Sequence, residues 1–156
     1  MKRSWWKALG GFVGAVAAAA VVGGVATTRN QDWYRSLRKP PFNPPDWLFG
    51  PAWTTLYALM ATSAYRVWRA PPSPERSRAL GLWGAQLALN AAWSPLFFGA
   101  HRPRAALVDL ALLVVGICAY ANEARKVDAP AAWMMAPYGA WCAFAGLLNE
   151  EIVRLN

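Results

Sequence analysis

The chain has 156 residues, of which 56% are hydrophobic and only 15% are charged, and ten are tryptophan. A soluble domain of this length could not bury so much apolar surface, so a soluble globular fold is excluded. The net charge of +8 does not indicate nucleic-acid binding, because the basic residues stand between apolar runs and not on one face or in one tail. Composition and the long apolar runs predict an all-α integral membrane bundle.

The first apolar run covers residues 8–28 and follows a basic start that contains two tryptophans. Such a start before an alanine-rich run also resembles a signal peptide. However, the run is about 20 residues long, enough to cross a bilayer, and no clear polar region precedes a cleavage site. We therefore interpret it as a retained first transmembrane helix.

A proline-rich loop, residues 29–46, separates the first span from the second. Its prolines fix φ and lack an N–H group, which predicts a stiff, extended lid. Asp46 is the expected N-cap of the next helix, and Pro51 falls near its first turn, where a missing N–H is tolerated. The aromatic residues that follow have two interpretations, an interfacial belt behind an ordinary turn or part of a ligand site.

Four further apolar segments complete the chain, and short polar turns separate them. Their predicted bounds are 47–68, 77–98, 104–122 and 130–155. Five spans leave no room for a separate soluble domain, so we expect one transmembrane domain over residues 1–156. An odd number of spans places the termini on opposite sides of the membrane. Nine basic residues on the N-terminal side against seven on the other decide little about the orientation.

Polar and aromatic side chains recur on one face of each later span. Because lipid offers no hydrogen-bond partner, such faces usually point into the bundle. The stripes have two interpretations. They either join helices through amide hydrogen bonds and aromatic packing, or they form the walls of a pocket for a large, flat, mostly apolar ligand, lined by tryptophan faces and a few amides. They comprise Trp53, Tyr57, Met60, Ala61 and Ala64; Gln86, Asn90, Trp93 and Phe97; Asp109, Leu113, Gly116 and Tyr120; and Trp141, Ala145, Leu148 and Asn149.

The cysteines, the histidine and the aspartate of the spans and turns do not indicate a redox, haem-ligand or proton-transfer site. Cys118 and Cys142 lie inside apolar runs and are interpreted as small core residues and not as a disulfide. His101 lies in a turn outside the spans with no second haem ligand facing it. Asp109 is expected to pair with Arg104 at the interface and not to relay protons. No cluster has metal-ligand spacing, so neither a metal nor a cofactor is predicted.

Three separated segments resemble the TspO/MBR family, the translocator proteins or tryptophan-rich sensory proteins. The segments are WYRSLRKPPFNPPDWLFGPAWTTLY at 33–57, QLALNAAWSPLFFG at 86–99 with Pro103 behind it, and PYGAWCAFAGLLN at 137–149. They occur in order over nearly the whole chain. The resemblance implies a five-helix membrane protein, often a homodimer, that binds porphyrins such as protoporphyrin IX, sterols in animal members, and synthetic isoquinoline-type ligands.

Motif position also implies the ligand-binding residues, and the first loop matches the family's lid. In the animal sterol-recognition segment a tyrosine follows the Leu-Asn pair, but here that position holds Glu150, which argues modestly against a sterol ligand. No residue is predicted to be catalytic. The predicted ligand-binding residues are Trp33, Tyr34, Pro44, Phe49, Trp53, Tyr57, Asn90, Trp93, Phe97, Trp141, Phe144, Ala145 and Leu148.

Three functions are compatible with these observations. The first is a membrane receptor or transport-type protein for tetrapyrroles with a sensory or stress-response role. The second is a light-dependent porphyrin-degrading enzyme, in which the porphyrin itself acts as photosensitiser, since the sequence offers no nucleophile, metal site or general-base pair. The third is a structural membrane partner, with lipid or sterol as its ligand.

A ridge of small residues on the third span predicts a symmetric homodimer. Gly81, Gly84, Ala88 and Ala91 lie opposite the polar face of that helix, and small residues let two membrane helices approach closely. The competing interface is the first helix, where Gly10 and Gly14 have the same spacing.

Overall fold

The computed structural model describes residues 2–156, with side chains from Ser4 onward, and its regular structure within that range is entirely helical. The side chains of Lys2 and Arg3, which entered the charge comparison, lie outside the described residues. The prediction of an all-α protein is confirmed. The helices are α1 Lys2–Arg29, α2 Gln31–Ser36, α3 Asp46–Arg69, α4 Pro74–Ser94, α5 Pro103–Ala124, α6 Ala129–Trp133 and α7 Ala136–Leu155, with a π-helical turn Pro95–Gly99 after α4.

The long helices form a bundle around one central space. Helix α1 packs between α3 and α4, and α5 packs between α4 and α7, whereas α7 approaches α3 only loosely. Three segments are long and apolar enough to cross a membrane, namely Ser4–Arg29, Pro103–Ala124 and Ala129–Leu155. The loose approach of α7 to α3 leaves a space that aromatic side chains line.

The prolines predicted an extended lid, but the lid is extended only in part. Its first third forms the short helix α2, and the prolines begin only after it. Asp46 does not cap α3; Pro45 holds the N-cap position with φ −64° and ψ 145°, and Asp46 is the first helical residue. A carboxylate in the first turn still interacts favourably with the helix dipole.

Two predicted spans are interrupted where proline removes an N–H group. The α-helical part of the third span ends at Ser94, and Pro95 opens the π-helical turn, which the bond from Ala100 N to Pro95 O closes at 2.8 Å. The fifth span divides into α6 and α7, because Pro137 cannot donate to the carbonyl of Trp133 and its ring would clash with it.

Buried and half-buried polar bonds join the bundle at the end opposite the lid. Ser63 Oγ lies 2.7 Å from Tyr120 Oη and donates to the carbonyl oxygen of Ala131 at 2.7 Å. Arg66 bonds both carboxylate oxygens of Asp128, at 3.0 and 3.1 Å. Asp128 also accepts from Ala131 N and so caps α6. These bonds tie α3 and α5 to α6, leaving the bundle more open towards the lid.

The single-residue predictions had mixed outcomes. Cys142 is fully buried, but Cys118 is exposed on the outer surface of α5, so its interpretation as a core residue is wrong. No ion pair joins Asp109 to Arg104 among the described side chains, and Asp109 Oδ2 is buried there without a hydrogen-bond partner. Gln86 is completely buried against Gly116, where α4 and α5 approach closely.

Candidate functional site

The central space is a cavity of about 460 Å³ beneath the lid. This volume lies within the range of small-molecule sites, roughly 300–1,000 Å³. Side chains from α1, α2, α3, α4, α5 and α7 surround it, together with the lid and the π-helical turn. Ten of the predicted ligand-binding residues line it: Tyr34, Phe49, Trp53, Tyr57, Asn90, Trp93, Phe97, Trp141, Ala145 and Leu148.

Aromatic rings from α3 and α7 form one wall of this cavity. Trp53 and Trp141 meet edge to face, with 6.5 Å between ring centroids and an interplanar angle of 85°. Phe49 lies against Trp141 in the same manner at 5.9 Å, and Trp53 lies against Tyr138 at 6.2 Å. Edge-to-face pairs are the favoured arrangement of aromatic rings. These contacts order the rings of Phe49, Trp53 and Trp141, which all line the cavity.

A hydrogen-bonded chain of three side chains crosses the floor of the cavity. Tyr57 Oη donates to Asn90 Oδ1 at 2.9 Å, and Asn90 Nδ2 donates to Tyr138 Oη at 2.9 Å. Tyr138 is fully buried, whereas Tyr57 lies on the cavity surface. The chain links α3, α4 and α7, so Asn90 fixes the relative positions of the three helices that carry the tryptophans of the cavity lining.

A second polar chain supports the opposite wall. Trp93 Nε1 donates to Asn149 Oδ1 at 3.2 Å, and Asn149 Nδ2 donates to the carbonyl oxygen of Pro103 at 2.7 Å. The ring of Trp93 also stacks on Phe97, with 5.1 Å between centroids. Asn149 thereby fixes the indole of Trp93 and ties α7 to the first residue of α5.

The lid is fastened to the bundle by side chains on both of its parts. Tyr34 Oη donates to Asn43 Oδ1 at 3.3 Å, and its ring meets Phe98 at 5.4 Å. Burial raises the pKa of Tyr34 above its ordinary value, and the Asn43 bond only partly opposes this shift. Tyr34 therefore stays a neutral hydrogen-bond donor.

Asn156 holds the lid just after the end of α2. Asn156 Oδ1 accepts from Arg38 N at 3.0 Å, and Asn156 Nδ2 donates to Arg38 O at 3.0 Å. The amide of one side chain thus matches both polar groups of one lid residue.

Three predicted residues are not among those that line the cavity. Trp33 instead stacks on His101, with 4.3 Å between centroids and 10° between planes. Phe144 lies behind Trp141 at 6.1 Å, and Pro44 accepts a bond from Asn43 Nδ2 at its carbonyl oxygen. These three residues contact the lid, α7 or the turn before α5, and so stand next to the lining residues without lining the cavity themselves.

Sequence reasoning missed the wall formed by α1. It had assigned the small residues of α1 only to close packing, and their helical spacing gave no sign of which face would line a cavity. A Cβ added at Gly23 would meet Ser94 Oγ at 3.3 Å, so the backbone itself forms part of the wall. The residues of α1 that line the cavity are Ala20, Gly23, Gly24, Thr27 and Thr28.

The side chains that line the cavity are mostly apolar or aromatic. Among the described residues, no group of three or more His, Cys, Asp or Glu side chains could hold a metal ion. The walls are mostly apolar, and the two amides deep in the bundle, Asn90 and Asn149, are engaged by protein partners. Such a site favours a flat apolar ligand that contacts ring faces.

Comparison with known proteins gives a consistent result over almost the whole chain. A family model described as the TspO/MBR family matches residues 12–155. The chain is 44% identical over 152 residues to "Translocator protein" of Bos taurus, covering 95% of this chain and 84% of the relative. It is 38% identical over 149 residues to "Tryptophan-rich protein TspO" of Chlorobaculum tepidum, covering 92% of each. It is also 38% identical over 145 residues to "Tryptophan-rich sensory protein" of Cereibacter sphaeroides, covering 93% of this chain and 89% of the relative.

Proposed function

Because this chain belongs to the TspO/MBR family and is an integral membrane protein, we propose that it binds tetrapyrroles of the protoporphyrin IX type in the cavity beneath the lid. The observation that carries the proposal is a cavity of about 460 Å³ lined by Trp53, Trp93 and Trp141. A roughly planar, mostly apolar ligand such as a porphyrin matches such a lining. Ring-on-ring contact there would supply affinity without any charged group in the membrane interior. The role that follows is sensing or transport of the ligand, as part of a stress response.

We propose further that five segments span the membrane as one domain. Helix α3 has 24 residues, and a helix of that length extends about 36 Å, more than the hydrocarbon core of a bilayer. Helix α4 continues into the π-helical turn and so gains length. Both helices carry the polar and aromatic residues of the cavity walls, which lowers their mean hydropathy relative to the three most apolar segments. The number of spans can be tested with the whole protein in a membrane, by mapping which of its loops a membrane-impermeant reagent labels from each side.

The binding proposal is tested by titrating the purified protein with protoporphyrin IX and following tryptophan fluorescence. We expect quenching, with affinity reduced about three- to tenfold in Trp53→Phe and Trp141→Phe, because each change removes aromatic contact area. Trp133→Phe is the matched control, since Trp133 is 77% exposed and lies outside the cavity. Equal affinities in all three variants would remove the cavity assignment.

The same titration separates binding from degradation. In the dark, protoporphyrin IX should quench the tryptophan fluorescence of a binding protein and of a degrading enzyme to the same extent. Under illumination with oxygen, a binder returns intact porphyrin on extraction, whereas an enzyme shows a loss of the porphyrin spectrum that depends on Trp141. Absence of quenching in both conditions would favour a structural partner of other membrane proteins or lipids.

We also propose that the protein is a homodimer through α4. Gly81, Gly84 and Ala88 are exposed, and the space beside both glycines is open. Ala91 is half-buried against the protein's own core and contributes less to this ridge. Leucine at Gly84 and Ala88 should reduce the particle mass in nanodiscs to that of a monomer. A dimer that survives would instead use α1, where Gly10 and Gly14 are equally open.

A further inference from the structure

The rim of the cavity differs in chemistry from its walls. Beneath the lid the lining becomes polar, and the charged residues within it are Arg35 on α2 and Asp46 at the start of α3. Both side chains are exposed. The uncharged polar residues of the rim are Thr27, Thr28, Gln31 and Asn43. A ligand that fills the apolar walls would therefore present its outer edge to one cation and one anion.

Helix α2 holds Arg35 at this rim through anchors on either side of it. Trp33 stacks on His101 and meets Phe97 edge to face at 5.6 Å. His101 Nε2 lies 3.2 Å from Asn30 Oδ1, immediately before α2. Tyr34 bonds Asn43 in the second part of the lid. Because its neighbours in sequence are fixed, Arg35 is placed at the mouth without being buried.

The guanidinium group of Arg35 is only weakly engaged. Its Nη1 lies 3.7 Å from Asp32 Oδ1, and its Nη2 lies 3.4 Å from Gln31 Oε1. Both partners are exposed residues of the same short helix, and exposed pairs of this kind contribute little. By contrast, Lys39 Nζ lies over the ring of Tyr34 at 4.4 Å and donates to the carbonyl oxygen of Leu37. Arg35 is thus the lining cation that an incoming anion can take over.

We propose that Arg35 anchors a carboxylate of the ligand, so that the site takes flat apolar acids whose carboxylate is carried on a flexible arm. This inference rests on the proposed function: the ring system lies against Trp53 and Trp141, and a propionate arm of the porphyrin reaches the rim. Guanidinium and carboxylate match in shape and can form two parallel hydrogen bonds. Asp46 opposes a second carboxylate at the same rim and favours an orientation in which that group faces water.

The test compares protoporphyrin IX with its uncharged dimethyl ester in nanodiscs of zwitterionic lipid. In Arg35→Gln we expect the diacid to bind up to about fivefold more weakly, the upper end for an exposed ion pair, while the ester binds as it does to the wild type. Asp46→Asn should tighten binding of the diacid alone. Arg29→Gln is the matched control, because Arg29 is an exposed cation at the same end that does not line the cavity. Comparing ratios between variants cancels the different partitioning of the two porphyrins into lipid.

The outcomes distinguish the anchor from the function on which it rests. Unchanged diacid affinity in Arg35→Gln, or equal losses for diacid and ester, would overturn the anchor while leaving the cavity as the binding site. An equal loss of diacid affinity in Arg29→Gln would show a general effect of surface charge, and would also overturn it. If neither porphyrin binds the wild type, the proposed function fails and the anchor fails with it.

Discussion

Asn90 makes a sharp prediction about stability, because its two bonds differ in their access to water. Its amide accepts from Tyr57, which borders the cavity, and donates to Tyr138, which is fully buried. In Asn90→Leu both tyrosine hydroxyl groups lose their partner. Tyr57 can turn to water in the cavity, whereas Tyr138 is fully buried and has only the weakly accepting thiol of Cys142 beside it.

The magnitudes follow from this difference. A buried polar group without a partner costs about 1–3 kcal/mol. Hydrogen bonds between membrane helices average about 0.6 kcal/mol in double-mutant cycles and reach about 1.7 kcal/mol. We therefore expect a coupling energy between Asn90 and Tyr138 of about 1–1.7 kcal/mol. For Asn90 and Tyr57 we expect about 0.6 kcal/mol or less.

The assay is reversible unfolding in mixed micelles, with double-mutant cycles of Asn90→Leu with Tyr138→Phe and with Tyr57→Phe. Both phenylalanine changes keep the ring and remove only the hydroxyl group. Tyr120→Phe is the control, because Tyr120 bonds Ser63 at the other end of the bundle and should be additive with Asn90→Leu within about 0.5 kcal/mol. Equal couplings for the two tyrosines, or a larger one for Tyr57, would refute the reasoning.

Two further predictions concern the lid and the α1 wall. Asn156→Ala removes both bonds to the Arg38 backbone, so the Arg38 amide should exchange its hydrogen about fivefold to tenfold faster, as measured by hydrogen–deuterium exchange; an unchanged rate would show that other contacts hold the lid. Gly23→Leu should block porphyrin binding in the fluorescence titration, because a side chain there meets Ser94 and fills the cavity, whereas Gly14→Leu points into open space and should not; retained binding in Gly23→Leu would mean that the ligand avoids this wall.

The fold was predictable where the pattern of apolar residues decides it. Long apolar runs predicted the helical class and membrane location, since a bilayer admits few alternatives. The helix interruptions were not predicted, because Pro95 and Pro137 stand inside otherwise continuous apolar runs. A proline in such a run can begin a helix, kink it or widen one turn, and the neighbouring helices decide which occurs. Helix α2 was missed because its stability depends on Trp33 and Tyr34 packing against the π-helical turn.

The site was predictable to the extent that its residues are large or polar. The stripes of α3, α4 and α7 identified the three tryptophans of the lining and the two amides deep in the bundle, since aromatic and amide groups are conspicuous at helical spacing. The wall formed by α1 carries no such mark, because glycine and alanine are equally common where helices pack and where a cavity lies. Conversely, a polar residue on a predicted stripe need not line the cavity. Gln86 shares a stripe with Asn90, yet it packs against α5 outside the cavity.

The cavity amides were expected to be candidates for ligand contact, but the structure places them differently. Asn90 and Asn149 each use both their oxygen and their nitrogen within the protein, and so hold tyrosine and tryptophan side chains in position. On the proposed function, the interior would recognise a ligand mainly by shape and by aromatic contact, which selects for flatness but poorly for identity. Directed polar recognition is left to the rim, where Arg35 is only weakly paired. On the same proposal the lid does more than close the cavity, since Arg35 on α2 would supply a cationic contact that distinguishes an acid from a neutral ring of the same shape.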